Sequence, residues 1–361
     1  MTAPCGTRPR ARDIGIRIGV LPTGPLNAIP DVPGVRVGHV SLIEGEGALV
    51  QGKGPVRTGV TAIVPHGGNL FTGKVCAAVH VINAFGKSVG LPQVVELGNI
   101  EAPIMLTGTL NVWTVADALV DYMSERNPGV YSFNPVVGEC NDGALNDTLG
   151  RHVKRHHVFE ALESATRTDT GEGNVGAGVG MTGFGWKGGI GTASRVLSED
   201  WGDCTVGAMV LTNTGQASDL RINGVPIGRE LRPDTHPYVE GSIMIVIGTD
   251  APLSSRQLGR VARRAVFGLA RAGGIASHGS GDFVIAFSTG TLISVSGNQS
   301  TGPDAFVPEP LLSSLFRATI EATEEAIVNS LFRAETLAGR DGTTRVGIPV
   351  EAVAAIMQKY Q

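Results

Sequence analysis

No stretch of this 361-residue chain reaches the roughly 18 uncharged apolar residues that a membrane-spanning helix needs, so a protein working in water is expected. Arg8, Arg10, Arg12 and Arg17 near the start are followed by no apolar run of roughly 7–15 residues. No secretory signal is read there, and a cytoplasmic protein is expected. Cysteine is scarce. Cys5, Cys76, Cys140 and Cys204 stand far apart with no C-x-x-C pair, which argues against a disulfide framework or zinc site and for lone thiols in a reducing compartment. Charge of one sign is lacking too. With 29 basic and 33 acidic side chains the net charge is −4, and no long run of either sign occurs. Such a surface offers nothing to nucleic acid or an anionic membrane, which leaves a small molecule or peptide as the expected partner.

What is abundant is glycine, at 51 residues, without the three-residue period of collagen. Hydrophobic residues reach 42%, enough for a sizeable core. Residues 1 to about 30 read as an extended arm broken by Pro22, Pro25 and Pro30. Strands are expected over 35–40, 60–65, 76–83, 203–213 and 283–287. Helices are expected over 111–126, capped by Asn111, and over 151–166, 255–272, 311–337 and 349–359. The loose alternation suits one layered α/β domain over residues 1–361.

Two patterns invite cofactor readings. His152 and His156 stand four apart on the expected 151–166 helix, but no carboxylate or thiol is spaced to complete a zinc site, and a solvated basic face is the reading kept. The tract Gly171–Gly191 contains two G-x-G-x-x-G matches, but it lacks the flanking hydrophobic strand and helix of a dinucleotide fingerprint. It reads as short strands and closely packed loops. Neither metal nor organic cofactor is expected.

The stretch that carries chemistry is Gly241-Ser242, directly ahead of the apolar run Ile243-Met244-Ile245-Val246-Ile247. A hydroxyl at the start of a buried strand, preceded by glycine, has the local chemistry for a peptide bond that breaks itself. Oγ of Ser242 attacks the Gly241 carbonyl, and hydrolysis of the ester leaves Ser242 as a new amino terminus. Its α-amine, with an ordinary pKa near 7.7–8.0, can then serve as base. Gly-Ser ahead of a strand is also an ordinary turn, so the dipeptide alone leaves both readings open. Residues 216 to 240 form a long polar loop with Pro226, Pro233 and Pro237, the pliable lead-in that a cut site needs. Asn213, ending its strand, is a candidate oxyanion donor. Ser280 and Asp282 are candidates for orienting protons, and Glu139 for holding a substrate ammonium group.

Five motifs occur together and in order: Leu21-Pro22-Thr23-Gly24-Pro25-Leu26-Asn27-Ala28-Ile29, Gly34-Val35-Arg36-Val37-Gly38-His39, Gly138-Glu139-Cys140-Asn141-Asp142-Gly143, Glu240-Gly241-Ser242-Ile243 and His278-Gly279-Ser280-Gly281-Asp282. Over nearly the whole chain they resemble the DmpA-type serine peptidases, which include L-aminopeptidase/D-esterases and β-peptidyl aminopeptidases. The resemblance implies an α/β (α+β) fold, a four-layer αββα sandwich resembling the N-terminal-nucleophile hydrolases. It implies self-cleavage into 1–241 and 242–361, held together in a homo-oligomer, a tetramer or larger. It implies Ser242 as nucleophile, Asn213 as oxyanion stabiliser, Ser280 with Asp282 as the serine-plus-acid pair, and Glu139 as amine binder. The acid of that pair is glutamate in some members, one methylene longer than Asp282. A tyrosine that some members carry near the scissile bond falls at Asn141, a candidate substrate-binding position. The implied activity is hydrolysis of amino-terminal aminoacyl amides, esters or short peptides. Two alternatives remain: acyl transfer to ornithine by a similarly self-cleaving enzyme, and an unprocessed scaffold.

Overall fold

Along the strand Ser242–Thr249, Ile243, Ile245 and Ile247 join one core cluster while Met244 and Val246 join another. A strand buried on both faces must lie between two layers, and that placement organises the molecule. The computed structural model describes residues 8–233, 241–295 and 306–360. Cys5 and the stretch 234–240 ahead of the Gly241–Ser242 bond, with Pro237 and Glu240, lie outside the described residues.

The strands are β1 (Arg36–Glu44), β2 (Val56–Val64), β3 (Gly73–Ala84), β4 (Asn99–Ile100), β5 (Ile104–Gly108), β6 (Val136–Cys140), β7 (Thr182–Gly183), β8 (Trp186–Lys187), β9 (Gly189–Leu197), β10 (Cys204–Asn213), β11 (Ser242–Thr249), β12 (Gly281–Ser294), β13 (Leu337–Ala338) and β14 (Thr344–Arg345). The helices are α1 (Leu91–Leu97), α2 (Val112–Arg126), α3 (Arg155–Glu163), α4 (Ile227–Glu230), α5 (Ser255–Ala272), α6 (Leu312–Phe332) and α7 (Val350–Lys359).

Four strands form one sheet in the order β1-β2-β5-β6, and six form the other in the order β4-β3-β12-β11-β10-β9. The sheets face each other through β6, which packs over β11 and β10. Gly138 leaves room for the Met244 side chain of β11, whose terminal methyl would have to move if a Cβ stood there. Helices α2 and α3 cover the outer face of the smaller sheet, and α5 and α6 cover that of the larger. The result is the expected αββα sandwich. Among the described residues no helix is long and apolar enough to cross a membrane.

Several expectations are corrected. The helix expected over 151–166 runs only over Arg155–Glu163. Arg151 takes a left-handed φ of 47°, and the His152 ring bonds the Asp147 carboxylate at 2.9 Å, so His152 and His156 do not share a helix. Asn111 stands at the start of α2 without capping it, since its amide goes to Thr58 Oγ at 3.3 Å. The arm is packed rather than loose: it makes tight turns at Arg12–Ile14 and Ile29–Asp31, and Arg12 pairs with Glu325 at 2.7 Å. The loop from 216 is not structureless. Up to residue 233 it contains α4 and a bridge between Ile222 and Val225, because Leu220, Ile222 and Ile227 are anchors buried in the core beneath α5. The segment around Glu139, expected as a polar turn region, is a fully buried strand. The helix expected to reach 337 stops at Phe332, and β13 turns back to pair with β14.

Candidate active site

At one end of the larger sheet the pairing aligns Asn213 of β10 with Ser242 of β11, and Ser242 with Gly281 of β12. Ser242 shares the parity of Met244 and Val246, and Asn213 that of Leu211 and Met209, so both side chains face the gap between the sheets. Ser242 is 7% exposed, and its Oγ accepts the Gly281 N–H at 3.1 Å. Gly241 passes so close to β10 that a Cβ would collide with the Asn213 carbonyl. Glycine is therefore required for the chain to reach Ser242 along this path.

The Asn213 amide is fixed at both ends. Its Oδ1 accepts the Thr182 N–H at 2.8 Å, and its Nδ2 donates to the Asn141 carbonyl at 3.1 Å. A backbone N–H only donates and a carbonyl only accepts, so the amide orientation is determined. One Nδ2 hydrogen remains beyond the bond to the Asn141 carbonyl.

On the other side, Asp282 Oδ1 accepts the Ile243 N–H at 3.0 Å and the Ser280 hydroxyl at 2.6 Å. Its Oδ2 is buried with no partner among the described residues. Burial raises its pKa to about 6, against the opposing bonds from Ser280 and Ile243. The Phe85 N–H donates to the Ser280 carbonyl at 3.2 Å, and two residues on, the Lys87 N–H donates to Glu139 Oε1 at 2.8 Å. That short loop joins the serine-acid pair to Glu139, which is 3% exposed. Gly86 between them lies against the Phe283 ring and Glu139, where a Cβ would press on both.

Ser242, Asn213, Ser280, Asp282 and Gly241 thus converge, with Glu139 attached through residues 85–87. Asn141 brings its backbone carbonyl to the cluster; its own side chain is exposed and caps the turn by accepting the Gly143 N–H at 2.9 Å. Cys140 bridges the sheets by donating to the Leu211 carbonyl at 3.6 Å, and burial pushes its thiol well up, so it is no nucleophile. Sequence reasoning missed the contributions of Thr182, Gly281 and Lys87 because each acts through its backbone N–H, which no residue type announces. The glycine-dense tract was the one signal near Thr182.

Comparison with known proteins agrees with this geometry. The model of the family described as Peptidase family S58 matches residues 27–345. The chain is 44% identical to the β-peptidyl aminopeptidase BapA of Sphingosinicella microcystinivorans, covering 98% of this chain and 93% of that protein. Among solved structures it resembles the PH0078 protein of Pyrococcus horikoshii OT3, with a TM-score of 0.92 and 50% identity over 98% of this chain and 99% of that one. It also resembles the L-aminopeptidase D-Ala-esterase/amidase of Ochrobactrum anthropi, described as a prototype for the serine aminopeptidases and a variant of the Ntn hydrolase fold. There the TM-score is 0.90 and the identity 37%, over 98% and 99% of the two chains.

Proposed function

The chain belongs to peptidase family S58 and is an aminopeptidase, and from this premise we propose that Ser242 is both its cut site and its nucleophile. The observation that carries the reading is the row Asn213–Ser242–Gly281, which sets a hydroxyl, an oriented amide and a backbone N–H at the mouth of the inter-sheet gap.

In the uncut chain Ser242 Oγ attacks the Gly241 carbonyl carbon. The new C–O bond replaces the Gly241–Ser242 C–N bond, and the Oγ proton passes to the departing nitrogen. Water then hydrolyses the ester, leaving a Gly241 carboxylate and a free α-amine on Ser242. Residues 1–241 and 242–361 become the two pieces of one catalytic unit. In turnover the neutral amine takes the Oγ proton as Oγ attacks a substrate acyl carbon, and the free Nδ2 hydrogen of Asn213 stabilises the oxyanion. The bond of Asp282 to the Ile243 N–H, one residue beyond the amine, supports a role for Ser280 and Asp282 in ordering it.

Glu139, held by the Lys87 N–H, receives the substrate ammonium group and confines cleavage to amino-terminal acyl residues. Amides, esters or short peptides of aminoacyl groups are the substrate class, and the 44% identity to a β-peptidyl aminopeptidase supports including β-aminoacyl compounds. The free, buried thiols Cys76, Cys140 and Cys204 support a cytoplasmic, reducing location. Exposed apolar side chains on and beside β3 and α1, namely Phe85, Val95 and Leu97, support assembly of the unit into a homo-oligomer.

Mass spectrometry and hydrolysis of an alanyl anilide test the reading together. Wild-type protein is expected as two pieces with activity, and Ser242→Ala as one inactive chain. An uncut yet active wild type would overturn the assignment.

A further inference from the structure

Lys187 belongs to the hairpin that holds the oxyanion amide, and it is among the largest fully buried side chains of the protein. Its Nζ donates to the Gly178 carbonyl at 3.0 Å and to the Gly188 carbonyl at 2.7 Å. No carboxylate lies within ion-pair distance of it among the described residues, and its pKa falls to about 7 because burial disfavours the ammonium form. An amine buried without a counter-charge is costly, so its place in the fold needs a reason beyond packing.

The reason lies in what its two acceptors bracket. Residues 178 and 188 are the two ends of the segment containing the β7–β8 hairpin, in which Thr182 pairs with Lys187. The Gly188 N–H donates to the Met181 carbonyl at 3.0 Å, and the Lys187 N–H to the Val346 carbonyl at 2.8 Å. Gly188 also passes so close to β10 that a Cβ would collide with the Thr212 carbonyl, one residue from Asn213. The Nζ therefore closes the base of a hairpin whose first residue, Thr182, at that same base, delivers its N–H to Asn213 Oδ1. A neutral amine keeps two N–H donors, as many as there are carbonyls to fill, so the closure holds in either protonation state.

We propose that Lys187 is a positioning residue for the oxyanion donor, stapling Gly178 to Gly188 so that Thr182 holds the Asn213 amide in its productive plane. This rests on the reading of Asn213 given above. Without the staple the hairpin shifts, and the remaining Nδ2 hydrogen loses its aim at the developing oxyanion. Transition-state stabilisation suffers while the amine-binding contacts of Glu139, on the other sheet, are untouched.

The test compares Lys187→Met, Asn213→Ala and the double variant. It follows the rate of chain cleavage by mass spectrometry, and kcat and KM per cleaved chain on an alanyl anilide. Asn213→Ala is expected to slow both rates by about 10²-fold. Lys187→Met is expected to slow them roughly tenfold or more with KM within about twofold of wild type. In the double variant Lys187→Met is expected to add nothing, because the donor it positions is gone. Wild-type rates in Lys187→Met, a change in KM alone, or losses that multiply in the double variant would overturn the staple. Wild-type rates in Asn213→Ala would instead overturn the oxyanion reading beneath it. If circular dichroism finds Lys187→Met unfolded, Lys187→Gln, whose amide N–H groups end one bond short of the lysine Nζ and so cannot span both carbonyls, replaces it under the same criteria.

Discussion

Burial leaves Asp142 in an unusual position for an aspartate beside a polar turn. It is fully enclosed at the end of the smaller sheet, where its Oδ2 accepts the Thr58 hydroxyl at 2.5 Å and its Oδ1 the Thr148 hydroxyl at 3.3 Å. Desolvation outweighs these bonds and raises its pKa from 3.8 to about 6. Between those two values the folded chain holds a proton that the unfolded chain has released, so stability falls as pH rises through that window and levels off above it. Asp142→Asn removes the fall. In a Ser242→Ala background, where the chain should unfold as one piece, urea unfolding of the two proteins is expected to diverge between pH 4 and 6. By pH 6.5 the asparagine variant should have gained about 3 kcal/mol relative to its parent. Parallel pH profiles would refute the shifted carboxyl. The neighbouring Asn111, whose amide bonds the same Thr58 hydroxyl, has a buried Oδ1 with no donor among the described residues. At this scale the sequence showed residue types but not enclosure. Ser242, Asn213 and Glu139 stood out by motif, whereas the burial of Asp142 depends on Gly108 and Thr58, which reach it from β5 and β2.

Whole elements were legible where the pattern is local. Helix α5 is the clearest case: its apolar stripe of Leu258, Val261, Ala262, Ala265 and Leu269 is buried. Ser254 Oγ accepts the Gln257 N–H at 3.3 Å, the Gln257 side chain returns to the Ser254 N–H at 3.1 Å, and Gly273 closes the helix with φ 103°. Ser254→Ala is expected to cost about 1 kcal/mol in denaturant unfolding. The cap lies beyond the far end of β11 from Ser242, so chain cleavage and kcat should stay at wild-type values. A drop in kcat would show that the two ends of β11 are coupled. Elements without a local signature were missed. The seven residues of α1 are too short to show a periodic face, and β5 is a brief run, Ile104-Met105-Leu106-Thr107-Gly108, placed by its partners β2 and β6. The polar look of residues 216–233 concealed three widely spaced anchors that only the tertiary core uses.

On the scale of the molecule, the proposed cut falls between strands that remain neighbours. In the order β3-β12-β11-β10-β9, the middle pair β12 and β11 would come from 242–361, and the strands flanking it from 1–241. Separating the pieces therefore means unzipping two ladders, β3–β12 and β10–β11, with the sandwich core between them. A buried ion network spans the same division. Arg195 of β9 pairs with Glu321 at 3.2 Å and with Glu325 at 2.7 Å, both on α6, and Arg12 of the arm binds Glu325 at 2.7 Å. Burial pushes the Glu325 carboxyl up, and the Arg12 bond with the charges of both arginines more than offsets it, holding the group below its ordinary value. Arg195→Met keeps the apolar stem but leaves Glu321 with no arginine partner among the described residues and Glu325 with one fewer. Breaking such a buried pair from one side costs about 3–5 kcal/mol. Cleaved wild-type protein is accordingly expected to elute as a single species in native chromatography and to split only under denaturant. Cleaved Arg195→Met should split at clearly lower denaturant, with the Ser242 amino terminus still formed on time. Equal resistance of the two proteins would place the cohesion in the sheet ladders alone, and loss of cleavage would mean that the network also shapes the site.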